Sequence, residues 1–431
     1  MSDYFTEPGG SHGSADAMFR QVMRDILVSP ESGSVSTGAA KVQNKTTESL
    51  GYSIELTDPL DRIVFNEKMK LDLPVAVARF VWMISGNNRL ADIKFYQEKV
   101  ADFSDDGIIV PGSSYGARIR YAFPGIDQLQ GVIDRLKKDP NSRRAAISIY
   151  QPTDTTRDSK DVPCAFGMFF HIRNDQLHTQ IVMRSNNATI LLPFNIFEFS
   201  LLAEVIASEC GVTMGPLKHY AASMHIYDNM KPLSVAIAND GGTKHSTPMD
   251  KMPVNPKPLE EVKRLVEFEA DLRHKSEAIS DHAVADWIDR IKDDFSVYWR
   301  QFAFSLLVTV ARRKCSETGL DELKSAMNPE LAHLVAWEVK PEKTLDEAAF
   351  SATATLLGSD NIVLFHDTKT SKSLQKNILD HEGESGKKVP TATIFKLQER
   401  YTSKLAARSD DVEISRDEFR SALKDIGDGD E

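Results

Sequence analysis

The stretch MRSNNATILLPFNI, residues 183–196, sets an arginine, a serine, two asparagines and a Pro-Phe-Asn corner between two apolar runs. The run before it, QLHTQIVMR, alternates as a strand does, because strand side chains point to opposite faces in turn. The run after it, IFEFSLLAEVIASECG, has apolar residues at three- and four-residue spacing and is stopped by Gly211, which predicts a helix. A strand-to-helix junction this rich in hydrogen-bonding groups has to find them partners. Arg184 can donate two parallel bonds to a phosphate or carboxylate, and Ser185 adds a hydroxyl. Asn195 carries an acceptor and a donor, the pair needed to read the O4/N3–H edge of a uracil. A plainer reading has Arg184 capping a carbonyl and Asn195 N-capping the helix. The junction by itself leaves both open.

Working outward, the same grammar of strands and helices continues. CAFGMFFHIR and QLHTQIVMR are joined by Asn174-Asp175, a two-residue connection suited to a tight primed turn. In LKHYAASMHIY, a further strand, His225 and Tyr227 share one face. Upstream lie a helix over Ala17–Val28, a turn-rich SPESGSVSTGAA, a strand at 51–57 and a buried helix from Leu73 to Gly86. GVIDRLKKDPNSRRAAISIYQP gives an amphipathic helix, a turn and a strand. The character changes after residue 280, where DHAVADWIDRIKDDFSVYWRQFAFSLLVTVARRK opens a helical region. There GESGKKVP reads as an exposed loop, and Ser415 with Glu418 forms a capping box. The expected organisation is a disordered lead-in over 1–16, an α/β domain over 17–280 and a helical extension over 281–431.

Composition bounds the function. A chain of 431 residues has room for two or three domains, and 41% hydrophobic with 27% charged residues is globular composition. The formal net charge of -11 disfavours non-specific nucleic-acid or anionic-membrane binding, yet allows a local basic pocket for one phosphate. Cys164, Cys210 and Cys315 show neither metal spacing nor a disulfide framework, which suits a reduced cytoplasmic setting and no metal. The polar start has no signal-type apolar stretch, and the most apolar run, residues 302–311, is too short to span a bilayer. A lone cysteine such as Cys164 is ordinarily a small core residue, and the adjacent Arg143 and Arg144 are ordinarily a solvated pair. Clustered with Arg184, those arginines would bind a dianion and lower a neighbouring thiol's pKa.

Taken together, Tyr115-Gly116, Arg143-Arg144, Pro163-Cys164, Arg184-Ser185, Leu192-Pro193-Phe194-Asn195-Ile196, His225-Ile226-Tyr227 and the VWMISG of Trp82 and Gly86 resemble the thymidylate synthase family, pyrimidine hydroxymethylases included. Their chain order is the family's, and the likeness covers roughly residues 20–275. It implies an α/β (α+β) subunit on a large bent mixed sheet, paired as a homodimer with a shared active site. It implies transfer of a methyl or hydroxymethyl group to C5 of a pyrimidine nucleoside monophosphate resembling dUMP. Cys164 would add to C6, Tyr115 would serve the proton transfers at C5, and Asn195 would read the base. Arg184, Ser185 and the partner subunit's copies of Arg143 and Arg144 would hold the phosphate, with His225 and Tyr227 on the sugar. Asn187 would belong to the substrate site too, and with Leu191 and Phe194 would face 5,10-methylenetetrahydrofolate.

The departures cluster on the folate side. Arg79 stands where the family has a proton-relaying glutamate, and a guanidinium with pKa above ~12 cannot relay protons. Asn187 replaces an aspartate and Leu191 a glycine. Only Phe103 stands near the place of the folate-packing tryptophans, and only Lys41 or Lys45 could replace an N-terminal phosphate-binding arginine. A short closing tail gives way to the helical extension. A nucleotide-binding pseudoenzyme using that extension for partner contacts, or altered chemistry with another donor, therefore stands beside the transferase.

Overall fold

Asn174 and Asp175 both take positive φ, 51° and 56°, so the two-residue connection is the primed turn that the right-handed twist of a hairpin favours. It joins β5 (Ala165–Arg173) to β6 (Gln176–Met183), with Arg173 opposite Gln176. This hairpin belongs to the eight-stranded mixed sheet of a computed structural model. That structure describes residues 9–29, 31–36, 43–122, 125–240, 248–339 and 415–427, with Asn377, Asp380, His381 and Leu397 singly.

The remaining strands are β1 (Ser11–His12), β2 (Glu31–Ser36), β3 (Gln43–Leu56), β4 (Ala146–Ser148), β7 (Asn186–Asn187) and β8 (Thr213–Tyr227). The path through the sheet is β1-β3-β8-β6-β5-β4, with β2 beside β3 and β7 beside β8. Two elements differ from expectation. The segment expected to be turn-rich holds β2, which pairs antiparallel with β3; pairing partners outweigh the weak strand preference of Ser and Gly. The lead-in expected to be disordered to residue 16 is structured from Gly9, because Ser11 and His12 pair with Glu55 and Leu56 and Ser14 caps the next helix. Residues 1–8 and the GESGKKVP loop lie outside the described residues.

Helices α1 (Ala15–Leu27), α2 (Leu73–Ile84), α3 (Leu90–Lys94), α4 (Tyr115–Arg120), α5 (Gln128–Lys138), α6 (Leu192–Glu209), α7 (Lys231–Ala238) and α8 (Pro258–His274) follow in chain order. Asp72 caps α2 by accepting from the Val75 amide at 3.2 Å, and Pro74 sits in its first turn, where a missing N–H costs nothing. Helix α6 is buried on every side from Leu192 to Ala207, as its nearly continuous apolar sequence requires. It lies on β6 and β8 and is flanked by α1, α2, α5 and α8.

The change of character at residue 280 does not divide this core. Helices α9 (Asp281–Asp294), α10 (Val297–Lys314) and α11 (Glu317–Ala326) bury Trp287, Trp299, Phe302, Leu306 and Leu320 in the same cluster as the sheet and α6. The first compact unit accordingly extends to Pro341. In the second unit, Glu342–Glu431, Arg416–Gly427 forms a helix whose capping box closes both ways: Glu418 Oε2 accepts from the Ser415 amide at 3.0 Å, and Ser415 Oγ from the Glu418 amide at 3.3 Å. Among the described residues no helix is long and apolar enough to cross a membrane.

Candidate active site

Cys164 ends the loop that leads into β5, and that loop is tied down on both sides. Arg184, following β6, donates through Nε to Pro163 O at 2.7 Å and through Nη2 to Val162 O at 2.8 Å. The same Nη2 lies 3.9 Å from Cys164 Sγ, and the Arg184 amide donates to Cys164 O at 2.8 Å. Arg184 thus does cap carbonyls, and the act of capping places its charge on the thiol. Asp161 holds the other side. Its Oδ2 accepts from the Gly112 and Ser113 amides at 2.7 and 2.6 Å, and its Oδ1 from Ser113 Oγ at 2.5 Å. One carboxylate therefore locks the cysteine loop to the chain that starts α4 at Tyr115.

The thiol itself is pushed up, not down. Loss of solvent raises its pKa, Asp161 adds to the rise, and Arg184 opposes it. The expectation of a thiol lowered by three clustered arginines fails within one chain, because Arg143 and Arg144 are exposed at the turn before β4 and far from solvent exclusion. Arg184 is the arginine that the structure brings to Cys164.

Asn195 is not the helix cap: α6 begins at Leu192, and the Asn195 amide already donates to Leu191 O at 2.9 Å. Its side chain ends a polar chain through the core. His219 Nε2 meets Asn186 Oδ1 at 2.9 Å, and Asn186 Nδ2 donates to Asn195 Oδ1 at 3.0 Å. Burial drives His219 down to about 4, so the ring is neutral near pH 7. With Asn186 Oδ1 accepting, Nε2 must carry the ring proton, and this fixes which way each amide points. Asn195 is left with its amide Nδ2 as the donor turned away from Asn186.

His225 and Tyr227 stand on one face at the end of β8, ring centroids 5.2 Å apart. Ser185 Oγ lies 3.3 Å from His225 Nδ1. Burial lowers His225 and raises the Tyr227 hydroxyl, which also feels Cys164. Pairing of β7 with β8 sets Asn187 beside His225. Asn187 Oδ1 accepts from the Ile190 amide at 2.8 Å, so this side chain is held against the entrance to α6, followed by half-buried Leu191 and buried Phe194.

Tyr115 stacks on Phe199 of α6, ring centroids 6.0 Å apart at 19°. Burial holds its hydroxyl well above the ordinary range, and Cys164, Arg79 and Glu198 all act on it. Gly116 lets α4 come this close: a Cβ there would stand 1.9 Å from Met83 O of α2. Arg79, on α2, reaches Glu198 on α6 through Nε to Oε1, with Nη2 3.5 Å from Oε2. Its guanidinium also covers the Phe194 ring at 5.4 Å and donates to Gln97 Oε1 at 3.3 Å. Phe103 is 40% exposed on a short 3-10 turn, Lys45 is exposed on β3, and Lys41 lies outside the described residues.

Sequence reading missed Asp161, Asn186, Glu198 and His219. Glu198 did leave a signal, a carboxylate between two phenylalanines in a helix apolar on all sides. The other three are visible only once loop and strand are brought together.

Known proteins bear on this geometry. A family model described as thymidylate synthase matches residues 18–269. Deoxyuridylate hydroxymethyltransferase of Bacillus phage SP01 is 29% identical over 186 residues, 40% of this chain and 48% of that protein. Thymidylate synthase of Francisella tularensis subsp. holarctica (strain FTNF002-00 / FTA) is 29% identical over 176 residues, 37% of this chain and 63% of that protein. These alignments span about half to two thirds of the length of the curated relatives.

Proposed function

Because the chain belongs to the thymidylate synthase family, we propose that it transfers a one-carbon unit, as methyl or hydroxymethyl, to C5 of a pyrimidine nucleoside monophosphate of the dUMP type. The observation that carries this reading is the loop clasp: Arg184 and Asp161 together fix Cys164 Sγ beside a guanidinium and against the Tyr115 loop. A thiol kept only for packing needs neither.

In this reading Cys164 Sγ, as thiolate, bonds to C6 of the base, and the C5=C6 electron pair becomes available at C5. Arg184 favours the thiolate over the thiol against the cost of burial. Asn195 holds the base edge, its Nδ2 donating to O4 and the second lone pair of Oδ1 accepting from N3–H. That order of donor and acceptor suits uracil; cytosine presents the reverse. Tyr115 handles the proton at C5. His225 and Tyr227 meet the sugar hydroxyl. Ser185, the Nη1 of Arg184, and Arg143 and Arg144 contributed by a second copy meet the phosphate, which would make the working form a homodimer. The exposure of the Arg143-Arg144 turn supports that last assignment.

Asn187, Leu191 and Phe194 present a fixed amide, an aliphatic branch and an aromatic face, which suit a flat heteroaromatic donor. Methylenetetrahydrofolate, when bound there, supplies the one-carbon unit. A cytoplasmic setting is part of the same proposal.

The test is tritium release from C5-labelled dUMP, UMP, dCMP and CMP, with and without methylenetetrahydrofolate, for the native chain and Cys164→Ala. Folate-dependent release from dUMP that disappears in the variant is the expected result. Absence of release from all four, with nucleotide still bound, would leave a nucleotide-binding protein instead. For the phosphate, Arg143→Ala and Arg184→Ala should each weaken dUMP binding in calorimetry.

A further inference from the structure

Helix α6 buries two carboxylates, and each meets an arginine from another element. Glu204 is saturated. Arg62 Nη2 donates to its Oε2 at 2.6 Å, the Tyr298 hydroxyl to the same oxygen at 2.8 Å, and the Met252 amide to Oε1 at 2.8 Å. Three elements converge there and no polar group of the cysteine site is among them, so Glu204 is a structural tie. Among the described residues, Glu198 has Arg79 as its one charged partner. It lies three residues beyond Asn195 and so on the same face of α6. Its charge and that of Arg79 both act on Tyr115, which in turn feels Cys164.

The pair is also asymmetric toward the site. The Arg79 side chain is 16% exposed and that of Glu198 3%. Desolvation raises the Glu198 carboxyl while Arg79 restrains the rise, leaving a group that can exchange a proton without being abandoned as a buried charge. Well-packed apolar residues of similar volume often serve stability as well as a buried ion pair does. Stability thus gives no reason to keep a carboxylate between Phe197 and Phe199.

We propose that Glu198 is the proton-handling carboxylate of this site, supplied from α6 where α2 offers Arg79, and that Arg79 is its positioning residue. The proposal rests on the transferase reading above. When Cys164 Sγ bonds to C6, the C5=C6 pair moves to C4–C5 and the C4=O4 pair to O4. Glu198 in its acid form passes its proton to O4, directly or through a bridging water. On reversal O4 returns the proton, C4=O4 and C5=C6 re-form, and the C6–Sγ bond breaks. The addition at C6 and its reversal need only the nucleotide and the chain.

The experiment is C5-tritium release from dUMP with methylenetetrahydrofolate present, followed across pH, for the native chain, Glu198→Gln, Glu198→Asp and the exchanged pair Arg79→Glu/Glu198→Arg. Glu198→Gln should lower kcat by about 10²–10⁴ with dUMP affinity within about threefold, and should abolish the limb on which the rate falls as rising pH ionises the Glu198 carboxyl. Glu198→Asp should keep that limb at a reduced rate. The exchanged pair keeps one ion pair for folding and should recover at least about tenfold over Glu198→Gln. Release at the native rate in Glu198→Gln, or a descending high-pH limb unmoved by it, overturns the role of Glu198 alone. No release by the native chain overturns the transferase reading and this role with it.

Discussion

Consider replacing His219 by glutamine. The imidazole is fully buried, its Nδ1 has no hydrogen-bond partner among the described residues, and its pKa falls from 6.5 to about 4 through burial. Between those two values the unfolded chain holds a proton that the folded chain refuses. A folded-state pKa lowered in this way means that stability is complete above pH 6.5 and drains away as pH falls toward 4. The slope is about 1.4 kcal/mol per pH unit inside the window, so this one ring takes away about 2 kcal/mol between pH 7.5 and 5.0. Glutamine can still donate to Asn186 Oδ1 but has nothing to titrate. Urea unfolding at pH 7.5 and pH 5.0 should therefore show the native chain losing about 2 kcal/mol more than His219→Gln does. Parallel losses in the two proteins would refute both the neutral ring and the donor order assigned to the chain His219–Asn186–Asn195. A refuted donor order would in turn remove the argument for uracil over cytosine.

Further perturbations test the rest of the frame. Glu204→Gln takes the charge away from a fully buried Arg62 and should cost about 3–5 kcal/mol in urea unfolding, while Arg62→Leu/Glu204→Leu together should cost less. Gly116→Ala drives a methyl into the Met83 carbonyl and should destabilise by about 1–3 kcal/mol in the same assay, with loss of any Tyr115-dependent activity. The Cys164 thiol is raised by burial, so its alkylation by iodoacetamide should keep accelerating with pH beyond the ordinary thiol range. Arg184→Gln should slow that alkylation at pH 8 several-fold, because the guanidinium opposes the rise that burial imposes on the thiol. An equal rate would mean that the guanidinium does not act on the sulfur.

How much of this was written legibly in the sequence depends on the distance over which each feature is encoded. Strand alternation, the Asn174-Asp175 turn, the stop of α6 at Gly211 and the Ser415–Glu418 capping box are decided within a few residues, and all are present in the fold. The sharing of a face by His225 and Tyr227 follows from strand geometry in the same way. Strand β2 was not legible, since its Ser- and Gly-rich residues pair only because β3 extends back to Gln43. Nor was the electrostatics of Cys164. Motif adjacency says which groups gather, but the sign of a pKa shift depends on how much water is excluded, which no spacing rule reports. The Arg79–Glu198 ion pair lies furthest from view, because it joins positions 119 residues apart and looks at each end like an isolated anomaly.

Helix α6 has no outward face, and α10 covers part of it: Phe302 meets Phe197, and the Tyr298 hydroxyl secures Glu204. The match to the family model ends at residue 269, which invites trimming the chain soon afterwards. A fragment ending at 280 would present the flanks of α2 and α6 to water as a bare greasy strip. Its hazard would be colloidal, with self-association and precipitation on expression arriving before any loss of chemistry could be measured.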